Sequence, residues 1–301
     1  MESAARPADR LTLALNLGTL LALPKWSQAP SGDNASVASA LKQAGYTAVQ
    51  GNDDPAFAAA GLTTFGSGSV RRPDEAMPLV RRHQALGHAA TTLHVGTGLE
   101  GDSEAMHFID AVLEASDATG YPVYFETHRA TITQDMWRTL RWITHFPEMR
   151  FNADLSHWYT GLEMPYGDFD AKLDFLAPVF ARTRFIHGRI GNAGSMQVAI
   201  GRGGRDQPHL SHFIEMWRRC FAAFLAKAEA ADRIVFAPEL LPAAAAGANG
   251  PIYMDYAQLH GGDGGFDETA DRWQQALLLT ELARTTFHEV AGTGNALATD
   301  G

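Results

Sequence analysis

The 301-residue chain is 46% hydrophobic and 19% charged, the composition of a folded enzyme-sized protein able to bury a sizeable core. Its formal net charge of −10 argues against broad binding to nucleic acid or to anionic membrane, both of which call for a basic footprint. A lone Cys220 excludes an intramolecular disulfide, and no apolar run reaches the ~20 residues of a membrane span, so cytoplasmic residence is expected.

Arg6 and Arg10 ahead of the apolar run Leu11–Leu23 have the outline of a secretory leader. No small-residue cleavage site follows promptly, however, and Asn16 interrupts the run, so a first β-strand is the better reading. From there, short β-rich runs alternate with amphipathic helical stretches, the pattern of a parallel sheet built from βαβ units. The expected strands are Thr12–Leu17, Thr47–Gly51, Leu62–Phe65, Ala89–Val95, Pro122–Thr127, Arg150–Leu155, Arg184–Arg189 and Ile234–Leu240.

Helix starts are signalled by Pro55, Pro73 and Pro208 at first-turn positions, and by Thr131 and Gln134 spaced as a capping box. Between His209 and Lys227, residues Phe213, Met216, Trp217, Cys220, Phe221 and Phe224 recur at helical spacing, an apolar face suited to packing on a barrel. Two segments break the alternation: Gly191–Gln207, and Pro242–Asp267 with Tyr253, Tyr256, His260 and Asp263. Both read as long loops after the C-terminal end of a strand, where barrel active sites are assembled. No linker divides the chain, which predicts a single (β/α)8 TIM barrel over 1–301, with disordered tails at 1–10 and 293–301.

Four polar residues interrupt or close apolar strands: Glu126 in YPVYFETHR, Asp154 in RFNADLSHW, His187 in RFIHGRIG and Glu239 in IVFAPELLP. Singly, each has an ordinary reading as a loop cap or an arginine's partner. Jointly, one βα unit separates the first three in turn, and one unit plus a long loop separates the last pair, so all four fall on one rim. Carboxylates at a barrel mouth are costly unless a cation or hydrogen bonds compensate them. Three carboxylates and one imidazole make a hard, mostly oxygen-donor site for one divalent metal, with Mn2+ expected first and Mg2+, Co2+ or Zn2+ compatible.

The runs around Glu126, Asp154 with His157 three residues on, His187 and Glu239 resemble the metal-site motifs of the xylose-isomerase-like TIM-barrel superfamily. Within it, they look like the sugar phosphate isomerase/epimerase members related to tagatose and psicose 3-epimerases. The resemblance implies one metal on Glu126, Asp154, His187 and Glu239, with Glu126 and Glu239 also moving protons on a small carbohydrate substrate. In such chemistry a metal-chelated carbonyl and neighbouring hydroxyl stabilise the enediolate left when the adjacent C–H loses its proton. His157 resembles the histidine that bonds a substrate oxygen, with orientation of a metal ligand as its alternative.

Arg189, two residues after His187, faces the same way on a strand and reads as an oxyanion or hydroxyl contact, or else as a salt bridge to a site carboxylate. His128 and Arg129 read equally as substrate contacts or helix-entry residues. His94, in TLHVGTG, either reaches the pocket or is a satisfied core histidine. Gln197, with Arg202 and Arg205, reads as a lid or a contact with a neighbouring subunit of a homo-oligomer. The related epimerases carry a substrate arginine several residues beyond the metal histidine, where this chain has Ala193, so the sugar is left open.

Lyases and dehydratases of the same superfamily share the first proton abstraction, which makes β-elimination on a keto-sugar, keto-glycoside or keto-polyol the alternative activity. A barrel kept as a structural subunit is a third reading. The abasic-site endonuclease branch needs a D-x-H pair ahead of a turn like Ile200–Gly203, and Ser195 and Gln197 stand in those places. Neither a Walker-type phosphate loop nor a nicotinamide fingerprint is present in the sequence.

Overall fold

A computed structural model describes residues 7–201, 208–248, 250–262 and 265–298. Eight parallel strands close into a barrel in chain order: β1 Leu11–Asn16, β2 Ala48–Gln50, β3 Thr63–Val70, β4 Thr91–Val95, β5 Val123–Glu126, β6 Phe151–Ala153, β7 Thr183–Gly188 and β8 Ile234–Pro238. Each overlaps its expected run. β8 returns to β1 with Ile234 opposite Leu11, so the sheet has no free edge.

Alternation along the strands builds two cores. Leu13, Leu15 and Val49 point outward into the layer shared with the helices. Ala14, Ala48, Phe65, Phe185, Val235 and Ala237 form a separate cluster inside the barrel. Four alanines there, with Ala90 the fourth, leave room for Phe65 and Phe185, which meet edge to face with centroids 5.3 Å apart. Two residues further along the same strands the inward register turns polar: Ala14 gives way to Asn16, Ala48 to Gln50, Phe185 to His187 and Ala237 to Glu239. The lower half of the barrel is therefore an apolar plug and its C-terminal mouth a polar site.

The apolar stripe on the helix Pro208–Leu225 is buried as its spacing predicts, and Trp217 meets Phe236 edge to face at 4.9 Å. A Cβ on Gly188 would lie 2.3 Å from the Phe236 ring, so glycine there lets β7 and β8 sit together. Pro55 and Pro208 open helices, and Pro73 opens a 3-10 turn that leads into the helix Ala76–Ala85.

Three expectations are corrected. Thr131 and Gln134 do not cap a helix. The helix starts at Met136, capped by Asp135 accepting from Arg138 N at 2.7 Å, while Thr131 Oγ1 donates to His128 O at 2.7 Å and folds the loop after β5 onto itself. The segment read as the second long loop contains two antiparallel hairpins, β9 Ala244–Gly247 with β10 Gly250–Tyr253, and β11 Leu259–Gly262 with β12 Gly265–Glu268. Alanine and glycine have little intrinsic strand preference, so neither hairpin shows as a β pattern. Finally, part of each expected tail is helical: Pro7–Arg10 is a 3-10 turn whose Arg10 Nη1 donates to Ala228 O at 2.8 Å, and the last helix runs from Arg272 to Ala298. Arg202, Arg205 and Asp263 lie outside the described residues. Among those described, no helix is long and apolar enough to cross a membrane.

Candidate active site

Glu126 closes β5, Asp154 follows β6, His187 is near the end of β7 and Glu239 follows β8. Their ligand-type atoms all lie within 4.8 Å of one another. His187 Nδ1 is 3.5 Å from Glu126 Oε1, 3.4 Å from Glu239 Oε2 and 3.9 Å from Asp154 Oδ2. Glu126, Asp154 and His187 are buried, and Glu239 is the most open of the four, with its side chain 14% exposed.

A chain of hydrogen bonds sets the protonation of His187. The Gly18 amide can only donate, and it donates to Asn16 Oδ1 at 2.8 Å. Asn16 Nδ2 then donates to Glu239 Oε1 at 2.8 Å and to Gln50 Oε1 at 3.0 Å. That Gln50 oxygen lies 2.8 Å from His187 Nε2 and, as an acceptor, requires the proton on this nitrogen. Gln50 Nε2 is occupied in donating to Thr92 Oγ1 at 2.8 Å, consistent with the same orientation. His187 thus keeps a proton on Nε2 and turns Nδ1 toward the three carboxylates, the nitrogen through which the imidazole can bind a metal once the Nδ1 proton is displaced.

Arg189 is buried and its Nη2 pairs with both Asp154 and Glu239, the salt bridge that is the alternative reading of this residue. Among the described residues it is the one permanent cation paired with these three carboxylates. Burial raises the Glu126 carboxyl, but the His187 and His94 rings more than reverse this and hold it well below the usual range. Burial likewise raises Asp154, and Arg189, followed by His157 and His187, brings it down overall. Burial would lower His187, yet Glu239, Glu126 and Asp154 bring it up to about 9. A metal that displaces the Nδ1 proton leaves His187 neutral, and quartet and arginine together then carry two excess negative charges, the charge of one divalent cation. The donor set, its tautomer and its charge deficit therefore fit such an ion.

The other expected site residues divide into two groups. His94, His128 and His157 line up beside the quartet, with ring centroids 4.1 Å apart for His94 and His128 and 3.9 Å for His128 and His157. His94 Nε2 is 2.9 Å from Glu126 Oε1, so it reaches the pocket. Burial brings His128 down to about 4 and His157 down to about 3, which keeps both rings neutral. His157 Nε2 stands 3.5 Å from Asp154 Oδ2, and both its ring nitrogens, like Arg189 Nε and Nη1, are buried without a hydrogen-bond partner. Arg129 is exposed and lies over the Tyr256 ring at 5.3 Å, at the pocket's outer edge. Neither His128 nor Arg129 enters a helix, because the next one begins at Met136.

Gln197 is corrected. Its Nε2 donates to Leu241 O and its Oε1 accepts from Leu241 N, both at 2.9 Å, so both ends of the amide are spent tying the loop after β7 to the segment after β8. Ala193 faces a surface groove with Tyr159, Tyr166, His209 and His212. Sequence reasoning missed Asn16, Gln50, Thr92 and Asn152, whose Nδ2 donates to Glu126 Oε2 at 2.9 Å. The available signal was their inward register at the ends of apolar strands, the same signal that exposed the quartet. Tyr256, on the connection between β10 and β11, covers Arg189 with its ring centroid 4.7 Å from the guanidinium carbon.

No family model matches the chain, and no curated protein matches it. Solved structures do. A D-tagatose 3-epimerase-like protein superposes with a TM-score of 0.56 at 9% identity, covering 93% of this chain and 99% of that one. A xylose isomerase-like TIM barrel protein from Mycobacterium smegmatis, in complex with magnesium, gives 0.53 at 11% identity over 94% and 99%. The probable 3-DHS dehydratase of petrobactin synthesis from Bacillus anthracis gives 0.52 at 11% identity over 76% and 92%. At these identities the likeness is one of fold, and the fold of this chain is a (β/α)8 TIM barrel like theirs.

Proposed function

We propose that the chain is a metal-dependent isomerase or epimerase that removes a proton from the carbon next to the carbonyl of a sugar or keto-sugar. The observation that carries this reading is the convergence of three carboxylates on His187 Nδ1, with Arg189 as their one permanent counter-charge among the described residues. Glu126, Asp154, His187 and Glu239 would hold the ion. When bound, a divalent cation supplies Lewis-acid polarisation of a carbonyl oxygen and its neighbouring hydroxyl.

The remaining work falls to the chain's own groups. Glu239, the most open carboxylate, takes the proton, and the C–H electron pair shifts toward the carbonyl oxygen. Glu126 returns a proton to the other face of that carbon or to its neighbour, drawing it from His94, whose Nε2 lies 2.9 Å from Glu126 Oε1. His157 and the unpartnered Arg189 nitrogens supply hydrogen bonds to substrate oxygens, since buried donors are seldom left unmet. Tyr256 and Arg129 cover the mouth and limit water.

A lyase eliminating a β-leaving group from a keto-sugar, keto-glycoside or keto-polyol is the second reading. Its first step is the same proton abstraction, which the quartet serves equally well. Incubating the Mn2+-loaded chain in D2O with a panel of ketoses and keto-glycosides tests both. Deuterium at carbon without net loss is expected for the isomerase or epimerase, loss of water or aglycone would move the assignment to the lyase, and no exchange with any compound would overturn both.

A further inference from the structure

We propose a second cation position beside the first, formed by His94, Glu126 and His128 and suited to a borderline divalent ion such as Zn2+ or Co2+. It rests on the reading of Glu126 as a metal ligand. The ligand-type atoms of the three residues lie within 4.8 Å of one another. Glu126 Oε1 is common to both groups, 2.9 Å from His94 Nε2 and 3.5 Å from His187 Nδ1. Its other oxygen accepts from Asn152 Nδ2 at 2.9 Å, which holds the carboxylate in the plane that serves both sides.

The tautomer of His128 suits this role. Its Nδ1 contacts the Arg129 carbonyl, an oxygen that only accepts, so the proton sits on Nδ1 and the Nε2 lone pair is left for a ligand. The His94 and His128 rings lie side by side with centroids 4.1 Å apart, which brings both imidazoles to the same side of Glu126. His94 and His128 are only partly buried, whereas Glu126 is enclosed, so an ion reaches this position from the loop side.

Two imidazoles and one carboxylate make a softer donor set than the oxygen-rich quartet, which is why Zn2+ or Co2+ suits it better than Mn2+ or Mg2+. Three protein ligands leave a coordination position open for an oxygen of the substrate. The first ion already cancels the charge deficit of the quartet, so the second binds the more weakly. Two ions sharing a carboxylate at roughly 3.5–4 Å form the arrangement that clamps two oxygens of one substrate.

Equilibrium dialysis of the full chain against Zn2+, with bound metal counted by mass spectrometry, tests the proposal. Two ions per wild-type chain are expected, the second held at least tenfold more weakly, and one ion in the His94→Asn, His128→Asn double variant. One ion in the wild type would overturn the second position and leave the first standing. Two ions retained in the double variant would place the second ion elsewhere and equally overturn it. No bound ion in the wild type would remove both positions together. The wild-type count decides the matter even if the double variant fails to fold.

Discussion

Each oxygen of Glu239 has a different neighbour: Oε1 accepts from Asn16 at 2.8 Å, and Oε2 meets Arg189 and faces His187 Nδ1. Replacing it with glutamine preserves size and removes the negative charge and the basic lone pair together. For Glu239→Gln we expect deuterium exchange to fall by about 10²–10⁴-fold, the usual contribution of a positioned base, with part of the metal retained on the other three ligands. Undiminished exchange would exclude Glu239 as the base. Gln50 acts one step back. Gln50→Leu removes the acceptor that fixes the proton on His187 Nε2, so metal affinity should drop by about 10–100-fold without loss of fold, as read by titration calorimetry. An unchanged affinity would show that His187 needs no such partner. The charged quartet was legible in the sequence because carboxylates are conspicuous at the ends of apolar strands. Asn16, Gln50 and Asn152 were passed over, because a neutral amide in the same register costs less to bury than a charge and its signal is correspondingly weaker.

At the level of elements, the eight barrel strands were legible since burial on both faces makes parallel strands near-continuous apolar runs. The segment from β9 to β12 was not, its alanines and glycines carrying no periodic contrast. Yet that segment delivers Tyr256 to the site, where the ring lies over Arg189 at 4.7 Å and over Arg129 at 5.3 Å. Cation–π contacts of this kind contribute about 0.5–2 kcal/mol, depending on how dry they are. Tyr256→Ala should therefore raise KM by roughly threefold to thirtyfold and leave metal content unchanged. Tyr256→Phe keeps the ring and should stay close to wild type. If the two variants fall equally, the hydroxyl rather than the ring matters, and Tyr256 is a hydrogen-bonding residue instead of a cover.

Across the whole molecule, acid stability turns on groups remote from the mouth as well as within it. His83 is buried beside β3 and β4, with Nδ1 2.7 Å from Thr91 Oγ1 and its ring 5.4 Å from that of His88. Burial, and then the neighbouring His88 ring, pushes its pKa below the ordinary histidine value. Between the folded and unfolded pKa values the unfolded chain binds more protons at this position than the native one does. Stability from His83 is thus fully present above the unfolded value near 6.5 and declines as pH falls through it toward the lower folded value. The apparent melting temperature of the wild type should drop between pH 7.5 and 5.5, by roughly 2–4 °C for each kcal/mol of linkage. His83→Gln, which can still bond Thr91 but cannot take a proton, should show a shallower drop over the same interval. Because every other titrating group is common to both chains, the difference between their slopes isolates His83, and parallel slopes would show that its ring is protonated as readily in the folded barrel as in the unfolded chain.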